Sequence, residues 1–201
     1  MDESGPDLVG GTEPVSCDGV RFAERNHGGA ILRRAEFAEC TFEHCAFGGA
    51  SFLDCRFRDC VFKACDLSLA KVQGSAFVRA TFEDSKIVGI DWTGVRPATF
   101  RLRLVRCNLS HASFAGMDLR EIEILRCLAK DVDFRDANLT AATFHETDLA
   151  DSEFLHTNLT RADLSKASNY SIDPACNTIK KTVFSLPEAV SLLAGYDIVW
   201  R

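Results

Sequence analysis

The sequence predicts a solenoid, a chain wound at a short fixed period, and three observations carry that prediction. Phenylalanine recurs every five residues at Phe37, Phe42, Phe47, Phe52, Phe57 and Phe62, after which Leu67 takes the place. Two positions before each of these a smaller apolar residue recurs, reading Ala35, Cys40, Cys45, Ala50, Cys55, Cys60 and Cys65. The large residues, or centres, continue from Leu32 to Trp92 and, in a second frame, from Leu104 to Leu164, with Ala129 as the weak member. A helix returns a side chain to one face about every 3.6 residues and a strand about every 2, so neither produces a period of five. A stack of short identical units does.

In chain order, residues 1–16 hold Gly5, Pro6, Gly10, Gly11 and Pro14 among few apolar residues and read as a flexible N-terminal tail. The repeat domain is expected over 17–167. Val20-Arg21-Phe22-Ala23-Glu24 fits one pentad but Arg25 to Gly29 does not, so an irregular start is expected, regular from Ala30. Part of Cys17 to Gly29 should cap the first coil, whose open edge otherwise invites association. Trp92 and Leu104 lie twelve residues apart, two pentads plus two, which places an interrupting loop at 95–101. That loop is positive and contains Pro97, as a surface turn would, and Arg96, Phe100 and Arg101 are its candidate partner contacts.

After Leu164 the pentad fades, and 168–201 reads as a C-terminal cap and dimerisation segment. Ser185-Leu186-Pro187-Glu188 has the form of a capping box, predicting a helix to about Ala194 that Gly195 ends. Thr182-Val183-Phe184 and Tyr196 to Trp200 look like short strands. Leu186, Val190, Leu193, Ile198, Val199 and Trp200 are more apolar than a solvated end requires, and they form the candidate dimer interface.

Ala137-Asn138-Leu139, Ala162-Asp163-Leu164 and Thr157-Asn158-Leu159 resemble the unit of the pentapeptide-repeat family: a small residue, Asp or Asn, then Leu or Phe, then two variable positions. The resemblance covers twenty-six units over about two-thirds of the chain. It implies an all-β fold, a right-handed quadrilateral parallel β-helix with four pentads per coil and both sets pointing inward, closed by a short helical cap. A twenty-residue coil would stack Phe37, Phe57 and Phe77, and likewise Cys40, Cys60 and Ala80, at roughly the 4.8 Å spacing of neighbouring strands. Twenty-six pentads then give about six and a half coils, a rod on the order of 30 Å long.

Composition narrows the function. No apolar run approaches eighteen residues and no hydrophobic leader precedes Ser16, so neither a membrane span nor a signal peptide is expected. Seven of the nine cysteines fall in the small slot, which predicts reduced, buried thiols in a cytoplasmic protein rather than a disulfide framework. The net charge of −6 is unevenly placed: Lys130 to Leu164 holds three basic residues against eight acidic ones. Cys40, His44 and Cys45 have a spacing reminiscent of zinc ligands, but the cysteines point inward and the histidine outward. His27, His111, His145 and His156 have no nucleophile at a matching position, and no phosphate-binding glycine loop is present. The Asn-Leu-Ser/Thr triplets at Asn108, Asn138 and Asn158 follow from the repeat. No enzyme activity, cofactor or metal is expected.

The cysteine- and phenylalanine-rich first frame, the break in mid-repeat and the apolar C-terminal helix are similar to the Qnr and microcin- or albicidin-resistance subgroup of the family. That resemblance implies a rod-shaped homodimer joined through its C-terminal ends. It also implies a DNA mimic that binds DNA gyrase or a related type II topoisomerase and relieves its poisons, with no direct nucleic-acid binding. A twenty-residue coil places Asp131 and Asp133 at one corner with Asp151 and Glu153 above them and Asp148 on the adjoining face, so these five are the candidate partner-binding carboxylates. Arg33, Arg34, Arg56 and Arg58 dilute the acidity of the first frame. The alternative is a pentapeptide-repeat scaffold or regulatory adaptor for another protein, since fold does not fix function. A β-helical acyltransferase or lyase is disfavoured by the period and the missing catalytic cluster.

Overall fold

The structure, a computed structural model, describes Leu8, residues 15–96 and residues 100–196. Five residues make one straight side and one corner. The centre and its two neighbours are extended, and the residue two places after the centre adopts a left-handed conformation, as at Arg34 (φ 54°), Asp59 (54°) and Asp131 (54°), which turns the chain onto the next side. Four such turns close a coil, and the chain winds into a parallel solenoid with four faces.

The first face pairs Ser16–Asp18, Glu36–Ala38, Arg56–Arg58 and Ala76–Val78 in parallel. The second face is a six-stranded sheet that starts at Arg21–Ala23 and ends at Glu123–Leu125. On the third face the rungs are single bridges such as Asn26↔Ala46 and Ala46↔Asp66. The fourth begins with Ile31–Arg33 beside Ser51–Leu53 and continues as bridges. Register is twenty residues throughout the first frame, as in Phe37↔Phe57 and Phe57↔Phe77.

The core is built of vertical stacks of like side chains. Phe22, Phe42, Phe62 and Phe82 are near-parallel, with successive centroids 5.0, 4.7 and 4.6 Å apart. Phe37, Phe57 and Phe77 follow at 5.1 and 4.9 Å. These separations are those of offset-stacked rings and of adjacent strands, so rise and aromatic packing are satisfied together. Around the coil neighbouring centres meet edge to face, as Phe37 does with Phe42 at 5.3 Å.

A second rule governs the small slot. Where the small residue is Cys, Ser, Thr or Asn, its side chain donates to the carbonyl of the centre one coil below. Cys45 reaches Phe22 O (3.5 Å), Cys60 reaches Phe37 O (3.4 Å), Ser75 reaches Phe52 O (2.8 Å) and Thr147 reaches Ile124 O (2.8 Å). Ser75 Oγ also accepts from the Cys55 N–H (2.9 Å). Where the small residue is alanine, as at Ala50 and Ala70, the carbonyl below is taken within its own turn, by Ala30 N–H on His27 O (3.0 Å) and Ala50 N–H on Phe47 O (2.9 Å). An inward carbonyl left bare would carry a desolvation cost, which the bonds to these carbonyls avoid.

The stack extends beyond the regular pentads at both ends. Cys17 is buried as a centre in register with Phe37, so Cys17 forms a rung rather than a cap. The stretch expected to be irregular, Arg25 to Gly29, is itself a rung, because the flat ring of His27 takes a centre position and stacks on Phe47 at 5.6 Å. Leu8 is buried in the core cluster. At the other end the bridges Asn158↔Thr178 and Asp163↔Val183 add rungs after Leu164, with Ile179 and Phe184 packed against the core. The sequence reading expected a short strand at Thr182-Val183-Phe184 but missed the rung at Thr178, because Tyr170 and Ile172 fill the interior across an irregular stretch before it.

The insertion changes the register from twenty to twenty-two, seen in Phe82↔Leu104 and in the bridge Lys86↔Asn108. It replaces the strand that would continue the first face above Ala76–Val78, and Arg96 N–H and Arg101 N–H bond to Ser75 O (2.8 Å) and Phe77 O (3.0 Å) instead. The C-terminal cap is a 3-10 segment, Glu188–Tyr196, not an α-helix. The capping box does not form as expected, since the Ser185 hydroxyl accepts from Lys166 N–H (3.0 Å) and so belongs to the last coil. Gly195 lies within the segment and does not end it.

Candidate functional site

The acidic corner lies between the third and fourth faces of the later coils. Asp133 and Glu153 are bridge partners on the fourth face. Asp131 N–H bonds to Ala150 O (2.8 Å), which sets the Asp151 corner above the Asp131 corner. Asp148 is on the third face, bridged to Leu128 and Ser168. The twenty-residue coil thus brings the five carboxylates together.

The carboxylates do not stand alone. The Arg135 guanidinium is bidentate on Asp133 (Nε 2.9 Å, Nη2 2.8 Å) and also reaches Glu153 (Nε 3.1 Å). Its hydrogen bond holds the Asp133 carboxyl below the usual carboxylate range. His111 Nδ1 lies 2.7 Å from Asp131 Oδ2. For Asp148, burial pulls the carboxyl upward, but hydrogen bonds from Asn169, the Ala150 N–H and Lys130 outweigh it and leave it lowered. Asp151 is exposed and makes no ion pair among the described residues. Sequence reading found the acids and missed these partners, although coil arithmetic places them: His111 lies twenty residues before Asp131, and Arg135 two after Asp133.

Such pairing runs over the whole rod. Arg79 clasps Asp59 (2.6 Å) and Arg106 clasps Asp84 (2.6 Å), each from the neighbouring coil. Arg126 and Lys166 both reach Glu146, at 2.9 and 3.6 Å. Arg33, Arg34 and Arg56 are exposed without an ion pair among the described residues, and Arg58 lies 4.0 Å from Asp59.

The two other expected surfaces come out differently. In the insertion, Arg96 is exposed and 3.5 Å from Asp54, and Arg101 is exposed with its guanidinium on the Phe100 carbonyl (2.8 Å). Phe100 is 2 % exposed and packs edge to face on Trp92 at 5.6 Å, so it is a core residue and not a loop contact. A single apolar residue in a basic loop looked like a recognition residue; the gap the insertion opens in the first-face column needed filling. At the C-terminal end Leu186 and Val190 are exposed, Leu193 is half-buried, and Leu192 packs on the core. Ile198, Val199 and Trp200 lie outside the described residues.

The described cysteines are free thiols, buried except for Cys176. Burial pushes the Cys60 thiol up to about 12. Among the described residues no cluster of His, Cys, Asp or Glu is arranged to hold a metal, and no helix is long and apolar enough to cross a membrane.

The comparisons with known proteins agree with this architecture. The family described as "Pentapeptide repeat region" matches residues 35–105, and that described as "Pentapeptide repeats (8 copies)" matches 16–52 and 130–168. The chain belongs to the pentapeptide-repeat proteins. Among solved structures it is similar to QnrB1, a plasmid-mediated fluoroquinolone resistance protein. One trypsin-treated variant of QnrB1 matches at TM-score 0.71 and 18% identity over 94% of this chain and 98% of that one. Another matches at 0.66 and 20% over 100% and 95%. HetL, a pentapeptide-repeat protein involved in heterocyst differentiation regulation in the cyanobacterium Nostoc, aligns at TM-score 0.43 and 13% identity over 86% of each chain. No curated protein matches the sequence.

Proposed function

We propose that this protein is a DNA mimic that binds DNA gyrase or a related type II topoisomerase in the cytoplasm and protects it from poisons of the quinolone, microcin or albicidin type. It acts by binding, without turnover, and as a homodimer joined at its C-terminal ends. The observation that carries the reading is the charge of the later coils, where eight acidic residues face three basic ones on a rigid rod. Carboxylates repeated at the coil rise, about 4.8 Å, present negative charge to a basic DNA-binding groove much as a phosphate backbone does. The likeness to a fluoroquinolone resistance protein over nearly the whole chain supports the same reading. Asp131, Asp133, Asp148, Asp151 and Glu153 are the proposed contacts, with Arg96 and Arg101 beside the insertion.

A second reading, a scaffold for another protein partner, is favoured by the pairing of Asp133 and Glu153 with Arg135, which lowers the field of the corner. A gyrase supercoiling assay, with and without a poison and against a titration of this protein, separates the two. Protection or inhibition that weakens with salt is expected for the mimic; no effect at any concentration favours the scaffold.

A further inference from the structure

Along the edge between the third and fourth faces, the left-handed corner positions read Gly29, Gly49, Leu69 and Gly89 in successive coils, and then His111, Asp131 and Asp151. The left-handed positions of the edge that carries the acidic corner are therefore uncharged up to Gly89, while Lys71 and Asp91 stand in the neighbouring column that continues to Asp133 and Glu153. Other corners differ: Asp59, Arg79, Asp84 and Arg106 stand at corresponding positions and are locked in ion pairs. From this row of corner positions Leu69 projects, 66 % exposed.

Three further observations set Leu69 apart. It holds a left-handed backbone (φ 59°), and among the described non-glycine residues in that conformation it is the only large apolar one, the others being polar, charged or alanine. Such a conformation disfavours bulky residues, and glycine occupies the equivalent position in the coils on either side. A Cβ at Gly49 would meet nothing within 4 Å, whereas one at Gly89 would come 2.8 Å from a Leu69 methyl, so the leucine leans over Gly89 and leaves the Gly49 side open. The backbone there is already satisfied, with Gly49 N–H on Ser68 O (2.8 Å) and Leu69 N–H on Val88 O (2.8 Å), so covering this edge strands no donor.

We infer that Leu69 is an anchor for the partner that the acidic corner engages, entering an apolar pocket beside that partner's basic groove. The inference rests on the topoisomerase reading. Three coils, about 14 Å, separate Leu69 from Asp131 along one straight edge. That distance fits within the footprint of a single interface of ordinary size, about 800 Å² on each partner. An apolar knob at a corner position that is glycine in the coils on either side gives the contact a fixed position along the rod, which evenly repeated carboxylates do not supply.

The test uses the full chain, purified DNA gyrase, and the variants Leu69→Gly and Leu69→Ser, both compatible with an exposed left-handed corner. Affinity is expected to fall tenfold or more, with the salt slope and the sedimentation coefficient unchanged. Parent-like affinity in both variants overturns the contact while leaving the topoisomerase reading in place. A changed sedimentation coefficient also overturns it, by assigning Leu69 to contact between copies of this chain. Absence of gyrase binding by the parent overturns the topoisomerase reading and the contact with it.

Discussion

At the scale of single residues, the small slot holds more information than its size suggests. At Ala50 and Ala70 the carbonyl one coil below is bonded within its own turn, whereas at Ser75 and Thr147 it receives the side-chain hydroxyl. Ser75→Ala should therefore leave Phe52 O and Cys55 N–H unmatched and cost about 1 to 3 kcal/mol, although it removes only one oxygen. Denaturant melts check this, and a midpoint equal to the parent's would refute the donor role. The centre position answers to packing. Phe57, 1 % exposed and stacked between Phe37 and Phe77, should cost about 3 to 5 kcal/mol as Phe57→Ala. Ala50, 0 % exposed, has no room to grow, so Ala50→Leu should cost about 1 to 3 kcal/mol. Two variants that melt like the parent would contradict the inward packing.

At the scale of the faces and corners, charge is organised as ladders between coils. Hydrogen bonds from Arg21, Arg79, Arg106 and Arg126 hold Glu43, Asp59, Asp84 and Glu146 below the usual carboxylate range. A lowered folded value stabilises the protein at pH above the unfolded value, near 4, and that stability is lost as pH falls through the folded values. Melting temperature should accordingly stay flat from about pH 7 to 5 and drop below about pH 4. Because these pairs are exposed, added salt should reduce the drop. A melting temperature that fell steadily between pH 7 and 5 would point to other groups. The acidic corner is tested by neutralising Asp131, Asp133, Asp151 and Glu153 together as Asn or Gln. The fold and sedimentation should be unaltered, while gyrase affinity falls and its salt dependence flattens. Unchanged affinity and slope would shift recognition to the insertion or the first frame.

At the scale of the whole molecule, a solenoid has two ends that its repeat cannot close. Leu8 is buried in the core cluster, and the C-terminal end carries the Glu188–Tyr196 segment with Leu186 80 % exposed. A two-fold contact between such ends hides apolar surface without propagating, whereas a head-to-tail contact would polymerise. Leu193→Asp is expected to convert a dimer to monomers in sedimentation velocity. A parent already monomeric at micromolar concentration would remove the idea, and with it the joint proposed for Leu186, Val190 and Leu193.

The period of five, read from Phe37 to Phe62 and from Leu104 to Leu164, determined the solenoid and the two-residue slip near residue 95, while the four-pentad coil and its inward sets came with the family resemblance. A period is a local property, and any chain that repeats it must bury the same positions in every coil. The tertiary structure alone decided which unlike residues complete the pattern. It made His27 a centre because a flat ring stacks on Phe47, and it drew Phe100 inward because the insertion opens a gap in a column. It likewise set Arg135 between Asp133 and Glu153 and left Leu69 outside. Each of these depends on what lies one coil away, a neighbour about 4.8 Å distant in space and twenty residues distant in sequence.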